Sequence, residues 1–490
     1  MTKTDRKLGM YIHQHWPYHH PYCARTWSRD DWRGYAEGLM HLGYNTVLLW
    51  PMAETIPDPP TPSDVAHLEK TRDVIAMLQG ELGMTVYVVL CPNVAPIDAE
   101  ASAATYERRH FFYCDMRVDP GDPAAMDALM ARRAKLMPYL GGADGFAIID
   151  SDPGGYPGST NQEFVDLMVR HRRLFDTYRP GIELIYWMHA GWLGYNRFYQ
   201  TGILEFSTEE ENADCLRRLA DAAPEPWSIA NGLDVARSVG LEHKVMSYNY
   251  GRIEGEPSYP RTNWTGAFAF EGGAAPGPLG VMGNAQTHCV QLPNTFAFAQ
   301  GARGGAIDDD AFLAFADQLL PGLGAVVLAG WKAMGSDDSG AMRSAADALE
   351  AVPADAMVLG PLKGLLFADG RRFLNDLVLQ LRQEAAYNDL RRCAGAPSRE
   401  LVAAFSTAAD AWQAAHGYEN SWWMPDMVAT LGKIGHPAVD AMLAEIWNPF
   451  ALPEGGIDCS GYEYVARVLR TAESFTPRML SALREAAGRG

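Results

Sequence analysis

The chain lacks any window of the ~18 uncharged apolar residues that a membrane-spanning helix needs, and its first residues, "MTKTDRKLGMYIHQHW", lack the apolar core of a secretory signal. A cytoplasmic protein is expected. No block of like charge is longer than the "TEEE" at 208–211, so the net charge of −19 is spread over the surface and argues against nucleic acid and membrane as partners. The seven cysteines, at 23, 91, 114, 215, 289, 393 and 459, form no CxxC pair, and their odd number cannot all pair internally. Reduced thiols in a reducing compartment fit best. There is no repeat of roughly 20–50 residues, which excludes solenoids and propellers. No glycine-rich phosphate fingerprint follows the first β-like run, which disfavours a dinucleotide site.

What is present is a globular composition, 48% hydrophobic and 21% charged, over 490 residues. That length exceeds the ~250–300 residues a single core supports, so two domains are expected. Through the first part a β-then-α rhythm repeats. "GMYIHQHW", "NTVLLWPM", "MTVYVVLCPN", "GFAIIDSD" and "IELIYWMHAGW" read as strands, and four amphipathic stretches between them read as helices. The first of these opens after Ser28, a suitable N-cap, and closes at Gly43, a suitable C-cap. "GILEFS", "PWSIAN", "HKVMSYNY" and "LGVMGNAQ" are candidate later strands, one of which is expected to be a loop excursion. The expected fold class is α/β: a (β/α)8 TIM-type barrel over 1–305, favoured over an open doubly wound sheet, followed by an all-helical C-terminal domain over 306–490. The helical domain is expected to pack on the barrel or to supply a homodimer surface.

The stretch "GFAIIDSDPGGYPGST" (145–160) carries the strongest chemical signal. Strand alternation puts Phe146, Ile148, Asp150 and Asp152 on one face, and that face is expected to be the barrel axis. Acids at the C-terminal ends of barrel strands read as catalytic. A carboxylic acid kept neutral by an apolar site can protonate a leaving oxygen, while an ionised partner activates water or attacks; glycoside hydrolysis needs such a pair. Candidate partners are Asp150, Glu254 and Glu256 in "NYGRIEGEPSYP", and Glu271 in "FAFEGG", with Glu205 as a further candidate.

Trp16, Trp50, Trp187, Trp192, Tyr248, Tyr250 and Trp264 fall at or beyond strand ends, where aromatic faces could stack on sugar rings. Asn284 and Gln286 share a strand face and could bind hydroxyls. "HQHWPYHHPYC" brings His13 and His15 to the end of the first strand, and His189 ends the fifth. These histidines are read mainly as hydrogen-bonding groups of a polar pocket. The HxH also resembles the metal-binding start of amidohydrolase barrels, so a metal-dependent hydrolase using His13, His15 and His189 is the alternative; no metal or cofactor is assigned.

The opening segment "HQHWPYHHPYCARTWSRDDWRGYAEGLMHLGYNTVLLW", the "SDPGGYPG" loop and the strand order over about residues 8–305 resemble the barrel of α-glucuronidases and, more loosely, of hexosaminidase-type glycoside hydrolases. The resemblance implies that Asp152 is the general acid. It also implies an acid on the eighth strand, where this chain has Asn284, which leaves Glu254 or Glu256 as second acid. The expected function is cleavage of a small oligosaccharide or glycoside, a uronic acid glycoside among the candidates, with Arg25 or Arg252 available to bind a carboxylate. A non-catalytic carbohydrate-binding barrel is the other reading.

Overall fold

The computed structural model describes residues 6–14, 19–106, 109, 115–151, 153–201, 205–249, 253, 277–285, 290–417, 425–445 and 475–488. Eight parallel strands close into a barrel: β1 (Lys7–His13), β2 (Thr46–Trp50), β3 (Thr85–Leu90), β6 (Gly145–Ile149), β7 (Glu183–Trp187), β8 (Trp227–Ala230), β9 (Val245–Asn249) and β10 (Gly280–Asn284). Two short strands, β4 (Val94–Pro96) and β5 (Asp115–Arg117), form an antiparallel ribbon beyond β3. Of the four late candidates, "GILEFS" is the excursion. Its described residues form no strand, and Ser207 N–H donates to the Ala190 carbonyl, which ties the segment back to the end of β7.

The helices wrapping the barrel begin with α1 (Arg29–Leu42), α2 (Pro62–Gly80), α3 (Asp98–Ala103), α4 (Pro123–Ala134) and α5 (Met137–Leu140). They continue with α6 (Asn161–Tyr178), α7 (Trp192–Thr201), α8 (Glu209–Ala222), α9 (Leu233–Ser238) and α10 (Leu292–Arg303). Their ends follow local chemistry. Ser28 Oγ accepts from Asp31 N–H while the Asp31 carboxylate accepts from Ser28 N–H, a reciprocal cap, and Gly43 closes α1 at φ 99°. Thr61, Thr160 and Thr208 cap α2, α6 and α8 in the same way.

Strand register fixes which side chains fill the barrel. Tyr11 and His13 on β1, Trp50 on β2, Trp187 on β7 and Tyr248 on β9 touch one another across it, so their parity is the inward one. The opposite parity faces the helices: Phe146 stacks on Phe175 of α6 at 4.5 Å, and Tyr186 packs on Phe164. This corrects the expected orientation of Asp150 after β6. Phe146, Ile148 and Asp150 do share a parity, but it is the helix-facing one, and Ala147 and Ile149 point to the axis. A parallel strand is apolar on both faces, so alternation separates two sets without saying which lies inside.

The lower, N-terminal end of the barrel is plugged by polar side chains. Glu183 accepts from Tyr87 Oη at 2.8 Å and from the Ser228 hydroxyl, and Lys7 Nζ lies 3.7 Å from its carboxylate and 5.0 Å above the Tyr87 ring. Access is left to the C-terminal end.

After α10 the described chain is helical: α11 (Asp309–Leu319), α12 (Gly324–Met334), α13 (Ser339–Glu350), α14 (Gly370–Arg392), α15 (Arg399–His416), α16 (Pro425–Gly432), α17 (Pro437–Glu445) and a last helix, Phe475–Ala486. This region packs on the barrel's outer helices. A Cβ at Gly364 would sit 2.0 Å from the Gly34 carbonyl oxygen of α1, so that approach requires glycine. A buried knot locks it to the segment after β1: Asp376 accepts from Tyr22 Oη at 2.5 Å and bonds His416 Nε2 at 3.0 Å, while His19 N–H donates to the His416 carbonyl. Among the described residues no helix is long and apolar enough to cross a membrane.

One buried histidine gives the fold an acid limit. His67 of α2 lies within hydrogen-bond distance of the Pro51 carbonyl, and desolvation, with Arg25 nearby, pushes its imidazole down from 6.5 to about 3. The unfolded chain therefore binds a proton that the folded chain refuses, and stability falls as pH drops from about 6.5 towards 3, by roughly 1.4 kcal/mol per pH unit for one such group. Denaturant midpoints of His67→Gln should fall less steeply over that window than those of the natural chain; parallel profiles would contradict the assignment.

Candidate active site

The C-terminal mouth is built from the last inward residue of each strand. His13 and Trp50 stand side by side in register, ring centroids 5.1 Å apart. Trp187 leans on Tyr248 at 4.4 Å, and Tyr11 sits beneath them, 5.5 Å from Trp187 and 6.2 Å from Tyr248. Asn284 pairs with Tyr11 in register and shares its inward parity. Five residues singled out from sequence therefore converge: His13, Trp50, Trp187, Tyr248 and Asn284. Tyr11 was missed, although it lies two residues before His13 and must share its face.

Trp187 Nε1 has no hydrogen-bond partner among the described residues, although the side chain is 2% exposed. The same holds for the amide of Gln14 after β1 and for Asn93 Oδ1 after β3. A buried polar group left unmatched costs about 1–3 kcal/mol, and three at strand C-terminal ends are what a site built for a polar ligand would show before it binds.

The loop after β6 is held by its neighbours. Asn93 Nδ2 donates to the Gly155 carbonyl at 2.9 Å and Arg117 Nε to the Gly154 carbonyl at 3.2 Å. A Cβ on Gly154 would lie 2.6 Å from the Asp150 carbonyl oxygen, so the turn closes only with glycine there. Asp150 is fully buried and aims its carboxylate at the loop after β7. It accepts from Tyr186 Oη at 2.9 Å and from the backbone N–H groups of His189, Ala190 and Gly191 at 3.0–3.2 Å. Burial pushes its carboxyl above the usual carboxylate range, opposed by the nearby His189 ring and by these donors. His189 follows Trp187 by two residues, and its Nδ1 lies 2.8 Å from Ser151 Oγ.

A second buried acid escaped the sequence reading. Glu54, just beyond β2, accepts from Cys91 N–H at 2.6 Å and from Trp50 Nε1 at 3.4 Å, and burial raises its carboxyl despite Arg133 nearby. It braces Trp50 against the end of β3. Nothing in "PMAETIPDPP" marks Glu54 apart from its place after a strand.

Other expected residues lie elsewhere. Trp192 stacks on Phe164 of α6 at 4.8 Å and donates Nε1 to Ser159 Oγ, so it belongs to the packing around α7 and not to the mouth. Glu205 is exposed and pairs with Arg197 at 3.6 Å. Arg25 is buried against Asp64 and over the Tyr106 ring, which commits its guanidinium to packing. Asp152, Glu254, Glu256, Glu271, His15, Trp16, Tyr250, Gln286, Arg252 and Trp264 lie outside the described residues. No group of three or more His, Cys, Asp or Glu side chains among the described residues is placed to hold a metal ion.

No family model and no curated protein sequence matches the chain. Among solved structures it is similar to a noncanonic maltogenic α-amylase, AmyB, from Thermotoga neapolitana, at 14% identity and TM-score 0.25. That match covers 50% of this chain and 64% of the amylase, less than two thirds of its length. It is similar to the protein described as CpGH84D at 10% identity and TM-score 0.39, over 82% of this chain and 69% of that one. It is also similar to a Pseudomonas aeruginosa protein assigned as a dihydrodipicolinate synthetase, at 14% identity and TM-score 0.34, over 76% and 99%. The barrel itself rests on the strand pairing of this chain.

The unmatched indole makes the mouth testable. Trp187→Phe removes the N–H and keeps an aromatic face, so affinity for a polyhydroxylated ligand should fall about tenfold, the worth of one hydrogen bond of about 1–1.5 kcal/mol, with little change in melting temperature. Unchanged affinity by calorimetry would show that the N–H does not face the ligand.

Proposed function

We propose that this protein is a glycoside hydrolase that binds a small oligosaccharide or glycoside in the C-terminal mouth of its barrel. The observation that carries the reading is the inward cluster of Trp50, Trp187 and Tyr248 at the C-terminal end, with the buried Trp187 Nε1 left without a partner among the described residues, above a plugged barrel floor. Flat aromatic faces suit the C–H faces of a pyranose, and amides and indole N–H suit its hydroxyls. Ser151, Gly154 and Gly155 are each held by side chains of neighbouring elements.

In this reading the Asp152 carboxylic acid gives its proton to the glycosidic oxygen as the C–O bond breaks. Glu254, Glu256 or Glu271, ionised, either deprotonates the water that adds to the anomeric carbon or adds there first and is displaced by water. Asp150 takes no direct part: its oxygens are committed to the loop after β7. A uronic acid glycoside remains the first substrate to try, on the strength of the α-glucuronidase-like loop alone.

The test is hydrolysis of a panel of aryl α- and β-glycosides, uronides included. Turnover by the natural chain, reduced ~10²-fold or more in Asp152→Asn on a substrate with a poor leaving group, is the expected result. Full activity in that variant would remove Asp152 from the chemistry. Sugar binding without turnover in the natural chain would make this a carbohydrate-binding barrel.

A further inference from the structure

Phe206 is 65% exposed, more than any other large apolar side chain among the described residues. It lies on the connection from β7 to β8, two residues before Thr208, the N-cap of α8. Since α8 must carry the chain down to the N-terminal end of β8, its first residues stand on the mouth side of the barrel. Three contacts hold this segment there. Ser207 N–H donates to the Ala190 carbonyl at 2.8 Å, Ser207 Oγ accepts from Gly194 N–H at 2.7 Å, and Arg197 Nη2 donates to the Phe206 carbonyl at 3.2 Å. The approach is close enough to require glycine, because a Cβ at Gly194 would sit 2.3 Å from both the Glu205 carbonyl oxygen and Ser207 N. Ala190 follows Trp187 by three residues, so their Cα atoms are at most about 11 Å apart. An exposed ring is thus fixed to the loop that leaves the mouth's own tryptophan.

A single exposed apolar side chain is common on protein surfaces. This one differs in its rigid backbone and in its surroundings. Met40 and Tyr178, also exposed, sit in the last turns of α1 and α6, at the opposite end of the barrel, and Val358 and Leu359 belong to the helical region. No wide apolar face of the kind a protein partner needs surrounds Phe206 among the described residues. Its neighbour is instead the exposed Glu205 carboxylate, 3.6 Å from the Arg197 guanidinium. One ring flanked by an acceptor and a donor matches a pyranose, which offers a C–H face to the ring and hydroxyls to the charged groups. We propose that Phe206 is a second sugar platform outside the mouth, and that the ligand is an oligosaccharide with one ring among the mouth aromatics and another stacked on Phe206, its hydroxyls facing Glu205 and Arg197. The platform rests on the reading of the mouth as a sugar site.

The probes are the aryl glycoside of best affinity and its homologues longer by one and two sugar residues at either end, compared through kcat/KM where they are cleaved and through calorimetry where they are only bound. Lengthening should strengthen binding to the natural chain. Phe206→Ala should cut that gain about fivefold, the worth of one aromatic stacking contact, and Phe206→Trp should keep it. Tyr178→Ala, which removes an exposed ring at the opposite end of the barrel, should leave the gain as it is. A melting curve run on each variant establishes that it is folded. A gain absent in the natural chain, or undiminished in Phe206→Ala, would overturn the platform and leave the reading of the mouth intact. The expected pattern obtained by calorimetry without any turnover would uphold the platform and remove the hydrolase. A chain that binds no glycoside of any length would overturn both.

Discussion

One buried carboxylate ties the upper rim of this barrel together. Asp150 stands just beyond β6 and gathers the phenol of β7's Tyr186 and three consecutive N–H groups of the following loop. Without that acceptor the loop would carry three unmatched donors inside the protein, at about 1–3 kcal/mol each. The same bonds set the backbone at His189 and so decide where its ring stands relative to Trp187. Ser151 Oγ lies 2.8 Å from His189 Nδ1 and so joins this loop to the one after β6, whose other anchors are Asn93 and Arg117. Two loops at the C-terminal end are thereby fixed to each other before any ligand arrives, which is the preorganisation a site needs to bind without first ordering itself.

The rest of the barrel supplies polarity at both ends and treats it differently. At the floor Lys7, Tyr87, Glu183 and Ser228 satisfy one another and close the channel. At the mouth Trp187 Nε1, the Gln14 amide and Asn93 Oδ1 are left without partners among the described residues. The asymmetry gives the mouth an appetite for a polar ligand that the floor does not have. Glu54, bonded to Cys91 N–H and Trp50 Nε1, braces one wall in the way Asp150 braces the other.

Much of this was legible in the sequence, for identifiable reasons. Capping residues and β-then-α rhythm mark the element boundaries, as Ser28 and Gly43 do for α1. Strand-end aromatics and histidines mark the mouth, as His13, Trp50, Trp187 and Tyr248 do. What could not be read is which face of an apolar strand lies inside. Phe146 looks like barrel filling and is instead packed on α6, and the acid that shares its parity points into the wall. Nor could Trp192 be told from a mouth residue, because its place at the start of α7 depends on Phe164 and Ser159, both distant in sequence. Glu54 carried no local signal, since its partners Trp50 and Cys91 meet it only once β2 and β3 pair.

The central claim is that the mouth accepts a sugar ring between its aromatic faces. A crystal structure of Asp152→Asn soaked with the aryl glycoside that binds it best tests this most directly. The account predicts the pyranose stacked on Trp50 or Trp187 at the C-terminal end of the barrel, with a hydroxyl within hydrogen-bond distance of Trp187 Nε1. A glycoside bound away from the mouth, or a mouth that stays empty at saturating concentrations, would contradict it.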